Sequence, residues 1–249
     1  MPEAETLLVL ATFLLAGMVK GVIGLGLPTV SLAILTVALD LPTAMALLLV
    51  PSFVTNLWQA SVGGDTRMLL RRLWPFLLSA GASVWIGAIA LKQVDLGLLS
   101  ALLGALLLIY AAISLAGFQP AIARAHESWA APASGLLNGV LTGMTGSFVV
   151  PGVMYLNALN LSRDQLIQSM GMLFTLSTLA LALALGNHAL LSQQQLISSS
   201  LALIPAIAGM LLGQVIRRTI SEAIFRRVFF LSLLLLGTYI IVAASRGMS

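Results

Sequence analysis

Residues 13–35 read FLLAGMVKGVIGLGLPTVSLAIL, and the reading of this stretch decides the fold. A long apolar run is interrupted near its middle by Lys20, by Gly17, Gly21, Gly24 and Gly26, and by Pro28. The apolar segment Leu7–Leu39 has 33 residues, on the order of 50 Å if it formed one straight helix. A bilayer core is only about 30 Å thick, so one straight crossing overshoots. Glycine loosens a helix and proline removes an amide donor, so Gly17, Gly21, Gly24 and Gly26, followed by Pro28, are where a helix most readily breaks. Irregular backbone at membrane depth is tolerated only where protein buries it or where it lines a watery cavity. The break is therefore the first candidate for a substrate site.

The rest of the 249-residue chain supports a membrane setting. Only 8% of the residues are charged and 59% are hydrophobic, whereas a soluble domain carries roughly 25% charge. The apolar runs are rich in Leu and Ala and lack the ten-residue alternation of a barrel strand. The fold class is an all-α integral membrane protein. The absence of cysteine excludes disulfides, thiolate metal sites and cysteine nucleophiles. The net charge of +4 comes from arginines that flank hydrophobic spans, an orientation signal and not a nucleic-acid surface. The acidic start, MPEAET, lacks the basic opening of a cleavable signal peptide.

After the first broken segment come Pro42–Val62, Leu73–Leu91 and Leu96–Ala116, each close to one span in length. A polar connection follows, and then the pattern starts again. Ala133–Leu156, ASGLLNGVLTGMTGSFVVPGVMYL, is a second apolar run broken by glycines and closed by a proline. Leu166–Leu185, Leu190–Ile216 and Phe229–Ala244 complete the second set. Gly17-x-x-x-Gly21 matches Gly135-x-x-x-Gly139, and Pro28 matches Pro151. Pro75, Gly81 and Gly87 are echoed by Pro205, Gly209 and Gly213. One GxxxG alone serves only close helix packing; the ordered recurrence points to a duplication. The repeats are assigned to residues 1–117 and 132–249, with 118–131 as the connecting loop.

Loop charges separate parallel from inverted repeats. If all eight elements cross, five loop positives lie inside and six outside, against the positive-inside rule. If each broken segment dips in and returns, nine lie inside and only Lys92 and Arg246 outside. Each repeat is then one re-entrant segment plus three transmembrane helices. An odd number of crossings inverts the second repeat and leaves both termini outside. Inverted repeats with interrupted helices at the midplane are the usual build of a secondary transporter.

Lys20 is the charged residue that sits clearly within an apolar segment. It either snorkels to a headgroup region or serves the cavity, and its depth beside the break favours the cavity. Its repeat counterpart is Asn138. Freed amides around Gly21, Gly24, Gly26 and Pro28 suit an anion at a half-helix start. Thr29 and Ser31 add hydroxyls there; Thr142, Thr145, Gly146 and Ser147 do so at the second break. Each hydroxyl, taken singly, can equally back-bond to its own helix. Asn56 is the polar residue of the second spans assigned to the cavity, while Gln59, Gln168, Ser169, Thr175, Ser177 and Thr178 read as interhelical hydrogen-bonding groups. His126 and His188 fall in connections, without a second ligand. This set suits a small oxyanion and would repel a metal cation.

The segments AGMVKGVIGLGLPTVSLAIL (16–35) and GLLNGVLTGMTGSFVVPGVMYLNAL (135–159) resemble the two signatures of the TauE/SafE family, the sulfite exporters. RRTISEAIFRRVFFLSLLLLG (217–237) is similar to that family's lead into its last helix. One departure is Val149-Val150-Pro151-Gly152, where the family usually carries a glycine directly before the proline; this bulkier lining bears on the substrate. The resemblance implies transport of sulfite, sulfonates or related organosulfur anions across the cytoplasmic (inner) membrane. The expected function is a secondary transporter that exports such an anion by alternating access, with no catalytic residue, cofactor or metal. The expected partners are a small anionic substrate and membrane lipid, with a homodimer left open. An intramembrane enzyme would need an acid–base pair at depth, and all eight acidic residues lie near segment ends or in connections. A non-transporting scaffold or assembly subunit is the alternative, and it has no need of two matching breaks.

Overall fold

A helix ends where its backbone runs out of donors or turns left-handed, and the first break does both. In the computed structural model, which describes residues 3–118, 121–219 and 221–246, α1 (Glu3–Ile23) stops before Gly24. Gly24 and Gly26 have φ of 81° and 112°, in the region that only glycine enters freely. α2 (Leu27–Ala38) then begins with Pro28 in its first turn, where a missing N–H is harmless. Of the glycines the sequence marks, Gly24 and Gly26 make the break, while Gly17 and Gly21 stay inside α1. Gln119 and Pro120 of the connection and Ser249 at the C-terminus lie outside the described residues.

The remaining helices are α3 (Leu41–Leu47), α4 (Leu49–Ser61), α5 (Thr66–Gln93), α6 (Leu96–Leu115), α7 (Glu127–Thr145), α8 (Gly152–Asn157), α9 (Arg163–Asn187), α10 (Gln193–Ile216) and α11 (Glu222–Ser245). No strand occurs among the described residues. Local chemistry sets the starts. The Asp40 carboxylate accepts from Thr43 N–H at 2.7 Å, and Asp95 accepts from Leu98 N–H at 3.1 Å. Ser162 with Gln165, and Ser192 with Gln195, form capping boxes that open α9 and α10.

α1, α5, α6, α9, α10 and α11 are each long and apolar enough to cross a membrane. α3 and α4, bent by 45°, make a seventh span if taken together. Ser199 of α10 patches that bend: its hydroxyl donates to Leu47 O at 2.8 Å and accepts from Val50 N–H at 3.0 Å. α5 and α11 begin earlier than the apolar runs from Leu73 and Phe229, because helix continues through charged turns at the membrane edge. Arginine is a good helix former, so hydropathy and helicity end at different residues.

On α5, Leu69, Leu73 and Phe76 are fully buried, while Leu70, Trp74 and Leu78 face outward. Both stripes are apolar, which is what a helix needs when protein covers one face and lipid the other.

The helices form two compact units. The first comprises Met1–Pro51, Asp95–Gly117 and Leu191–Ser249; the second, Ser52–Val94 and Phe118–Leu190. In the first unit α1 packs along α10, and α6 along α11. Gly21 lies against Met210 O and Gly213 Cα, and Gly209 against Leu14 O. In the second unit α7 packs along α5, with Gly87 against Val140 O and Gly143 Cα, and Gly139 against Ala80 O. Small residues let these backbones approach where lipid gives no hydrophobic push between helices. The same pairing thus occurs twice: the GxxxG helix of one half against the Pro-Gly-Gly helix of the other.

Each broken segment returns to the end it started from. In the first unit, Glu5 near the start of α1 and Ala38, Leu39 and Asp40 at the end of α2 line one recess of about 450 Å³. In the second, the Arg72 guanidinium donates to both Glu127 carboxylate oxygens, at 2.9 and 2.6 Å, and to Leu159 O at 3.1 Å. Ile122 N–H donates to Ala158 O at 2.9 Å, and Gln165 Nε2 to Asp65 Oδ2 at 2.9 Å. The starts of α5, α7 and α9 and the end of α8 are therefore tied at one end.

The Arg72 hydrogen bonds hold the Glu127 carboxyl below its ordinary value of 4.5. A depressed carboxylate pKa gives stability that is complete above the unfolded value and lost as pH falls through the folded one. Glu127→Gln is therefore expected to lower stability by about 0.5–1 kcal/mol at neutral pH for this partly exposed pair. Thermal unfolding in detergent across pH 7 to 3 would measure it. The gap between wild type and variant should close on the acid side; a gap that persists there contradicts the assignment.

Candidate functional site

At the first break Lys20 is buried, with 4% of its surface exposed, one turn before the end of α1. Its carbonyl accepts the Gly24 N–H at 2.8 Å, closing the helix. A Cβ on Gly26 would meet Val19 Cγ1 at 2.8 Å, so backbone and side chains are tightly fitted there. Thr29 and Ser31 are buried on the first turns of α2. Ser31 Oγ donates to Leu27 O at 2.7 Å, the back-bond that competes with a ligand role. Gly21 is occupied by its contact with α10, so its lack of a side chain serves packing. Lys20, Gly24, Gly26, Pro28 and Thr29 are what this break brings together in the first unit.

The second break runs from Gly146, with φ of 72°, to Gly152 at the start of α8. Asn138, fully buried on α7, accepts the Gly152 N–H with Oδ1 at 2.9 Å. One side-chain oxygen thereby fixes the far side of the break. Its Nδ2 has no hydrogen-bond partner, nor does the buried Ser147 hydroxyl. Thr142 Oγ1 donates to Ser147 O at 2.9 Å, and Ser147 N–H donates to Thr145 Oγ1 at 3.2 Å. Thr145 itself back-bonds to Leu141 O at 2.7 Å. Thr142 and Thr145 thus hold the loop, leaving Asn138 Nδ2 and Ser147 Oγ–H as donors. Val149 and Val150, the departure from the family pattern, are buried beside them in sequence. Asn56 lies fully buried on α4 in the same unit.

Among the polar groups read as interhelical, two behave so. Gln59 Nε2 donates to Ile167 O at 2.8 Å, and Gln168 Nε2 donates to Ala60 O at 3.0 Å and Thr66 Oγ1 at 2.8 Å. Thr175 back-bonds to Gly171 O at 2.7 Å. The hydroxyls of Ser169, Ser177 and Thr178 on α9 and of Ser52 on α4 are buried without a partner. A buried unsatisfied hydroxyl is costly enough to need water or a ligand. Ser169, Ser177 and Thr178 thus lack the interhelical partners expected of them, because sequence does not say which hydroxyl finds a carbonyl. No group of three or more His, Asp or Glu among the described residues could hold a metal ion.

Two chain breaks, each lined by buried donors within an all-helical, multi-pass membrane protein, now stand beside a family match. Residues 9–240 match the family described as Sulfite exporter TauE/SafE. The chain belongs to the TauE/SafE family. TauE/SafE proteins are transporters and not enzymes, so the chain is a multi-pass transporter of small anions in the inner membrane. No curated protein and no solved structure matches it.

Proposed function

We infer that the chain exports a small sulfur oxyanion or organosulfonate across the cytoplasmic membrane by alternating access. The observation that carries this reading is the donor chemistry at both breaks. Lys20 brings a positive charge to the first, and Asn138 Nδ2 and Ser147 Oγ–H bring unspent donors to the second. Donors without a buried acceptor carboxylate favour an anion over a cation. Thr29 and the first amides of α2 are assigned to anion contacts at the first break, and Asn56 on α4 to those of the second unit. The test is flux from proteoliposomes loaded with sulfite, sulfate or a small sulfonate. Sulfite or the sulfonate should leave clearly faster than from protein-free liposomes; efflux of all three no faster than from protein-free liposomes would refute the substrate class.

The same reading takes the two halves as inverted repeats of four membrane elements each, with both termini outside. The recurring helix pairing supports it, as does the return of each broken segment to its starting end. Reporter fusions at Gly64, Gln193 and Ser249 test it. Gly64 should report inside and the other two outside. An outside signal at Gly64, or an inside one at either other position, contradicts the arrangement.

A further inference from the structure

Four arginines meet in one recess of the second unit. The hollow, about 790 Å³, is lined by Gly64, Asp65, Arg67, Arg71, Arg72 and Arg124, together with Met68 and Glu127. Arg72 is neutralised by its two hydrogen bonds to Glu127. The Asp65 carboxylate accepts from Gln165, an amide, so it is engaged without cancelling an arginine. Arg67, Arg71 and Arg124 are exposed on the rim. Three guanidiniums against one carboxylate leave the recess clearly positive.

Ordinary membrane orientation asks only that arginines lie on one side of the bilayer. It does not ask that residues from α5 and from the turn before α7 converge on a shared hollow. The depth of the recess is marked by tryptophan. Trp74 of α5 and Trp129 of α7, 60% and 64% exposed, lie two residues beyond Arg72 and Glu127. Exposed tryptophans of this kind sit at headgroup level. Headgroup level is where phosphate is always at hand, and the planar guanidinium fork matches phosphate oxygens in pairs.

We propose that this recess binds a phosphate group, held by Arg67, Arg71 and Arg124 over a floor fixed by the Arg72–Glu127 pair. Arg72 also holds Leu159 O, at the exit of the second broken segment. An occupant therefore sits against the clasp that keeps α7 and α8 returning to one end, and its binding stabilises that end of the unit. The phosphate can come from an anionic lipid or from solution. The site is independent of which anion is transported, because its readout is stability and lipid binding and not flux.

The test uses the purified full chain in phosphatidylcholine nanodiscs. One arm adds phosphatidylglycerol; the other adds inorganic phosphate, with chloride matching the ionic strength. The variants are Arg67→Gln/Arg71→Gln/Arg124→Gln, the single Arg124→Gln, and Arg226→Gln/Arg227→Gln as a control in the other unit. Phosphatidylglycerol is expected to raise the unfolding temperature of the wild type and of the control. Each arginine near an anionic surface contributes roughly a fivefold gain in affinity, so the triple variant should bind on the order of a hundredfold more weakly. Arg124→Gln should lose about fivefold, which keeps the test meaningful if the triple variant folds poorly. Stabilisation by inorganic phosphate alone, lost in the same variants, also upholds the site and assigns it to a soluble ligand. No response of the wild type to either probe, or an equal response in the arginine variants, overturns it.

Discussion

Replacing Lys20 with alanine is expected to weaken anion binding severely while leaving the protein folded. Lys20 lies in the last turns of α1, 4% exposed, beside a break that only glycine backbone makes freely. Burying an ammonium carries a desolvation cost, which its removal relieves and which offsets part of the packing lost with the side chain. What is lost is a charge-assisted contact to the anion, worth about 2–5 kcal/mol in a desolvated site. That corresponds to a loss of affinity from about thirtyfold to several thousandfold. Calorimetric titration of the purified variant with sulfite measures it directly. An unchanged affinity in a folded Lys20→Ala protein removes Lys20 from the site. Asn138→Leu offers the matching experiment in the other unit, although there the Gly152 N–H loses its acceptor as well.

The second large effect belongs to the helix pairs that hold the breaks in place. A Cβ on Gly87 would strike Val140 O and lie 2.8 Å from Gly143 Cα, both on α7. Neither neighbour is the tip of a flexible side chain. Gly87→Leu must therefore push α5 and α7 apart along their length, and overpacking of this kind costs about 3 kcal/mol or more. Gly186 on α9 provides the contrast, because a Cβ there meets nothing within 4 Å. Gly186→Leu should be neutral or mildly stabilising, since glycine is a poor helix former. Unfolding in detergent should separate the two variants by many degrees. Equal behaviour would mean that the α5–α7 contact is not what holds the second unit together.

The breaks were legible because glycine and proline act on the backbone locally, without help from the rest of the fold. Gly24, Gly26 and Gly146 turn left-handed where the sequence interrupts its apolar runs. The spans were legible because hydropathy is a property of composition. Their ends were less so: α5 starts at Thr66 and not at Leu73, since helical hydrogen bonding continues past the last residue that lipid favours. Long-range partners were not readable. Nothing local announces that Arg72 will meet Glu127 and Leu159, or that Ser199 will patch the bend between α3 and α4. Nor does pattern reveal that each compact unit is assembled from both halves of the chain. The hydroxyls show the same limit. Ser31 and Thr145 bond back to their own helices, whereas Ser147, of the same chemistry and two residues from Thr145, keeps its hydroxyl without a partner.

On the function proposed above, the sulfur anion is expected to leave the cell driven by its own charge, without a membrane-embedded carboxylate relay. All eight acidic residues lie near helix ends or in connections, whereas proton relays run through buried Asp, Glu or His. Each negative charge leaving a negative-inside cell gains about 2.3 kcal/mol per 100 mV, a concentration ratio of several tens-fold. The most direct measurement is flux of a permanently ionised small sulfonate in proteoliposomes, at equal pH on both sides, while the potential is stepped. Outward flux that rises as the interior is made more negative is the expected result. Flux that ignores the potential yet follows an imposed proton gradient would contradict the account.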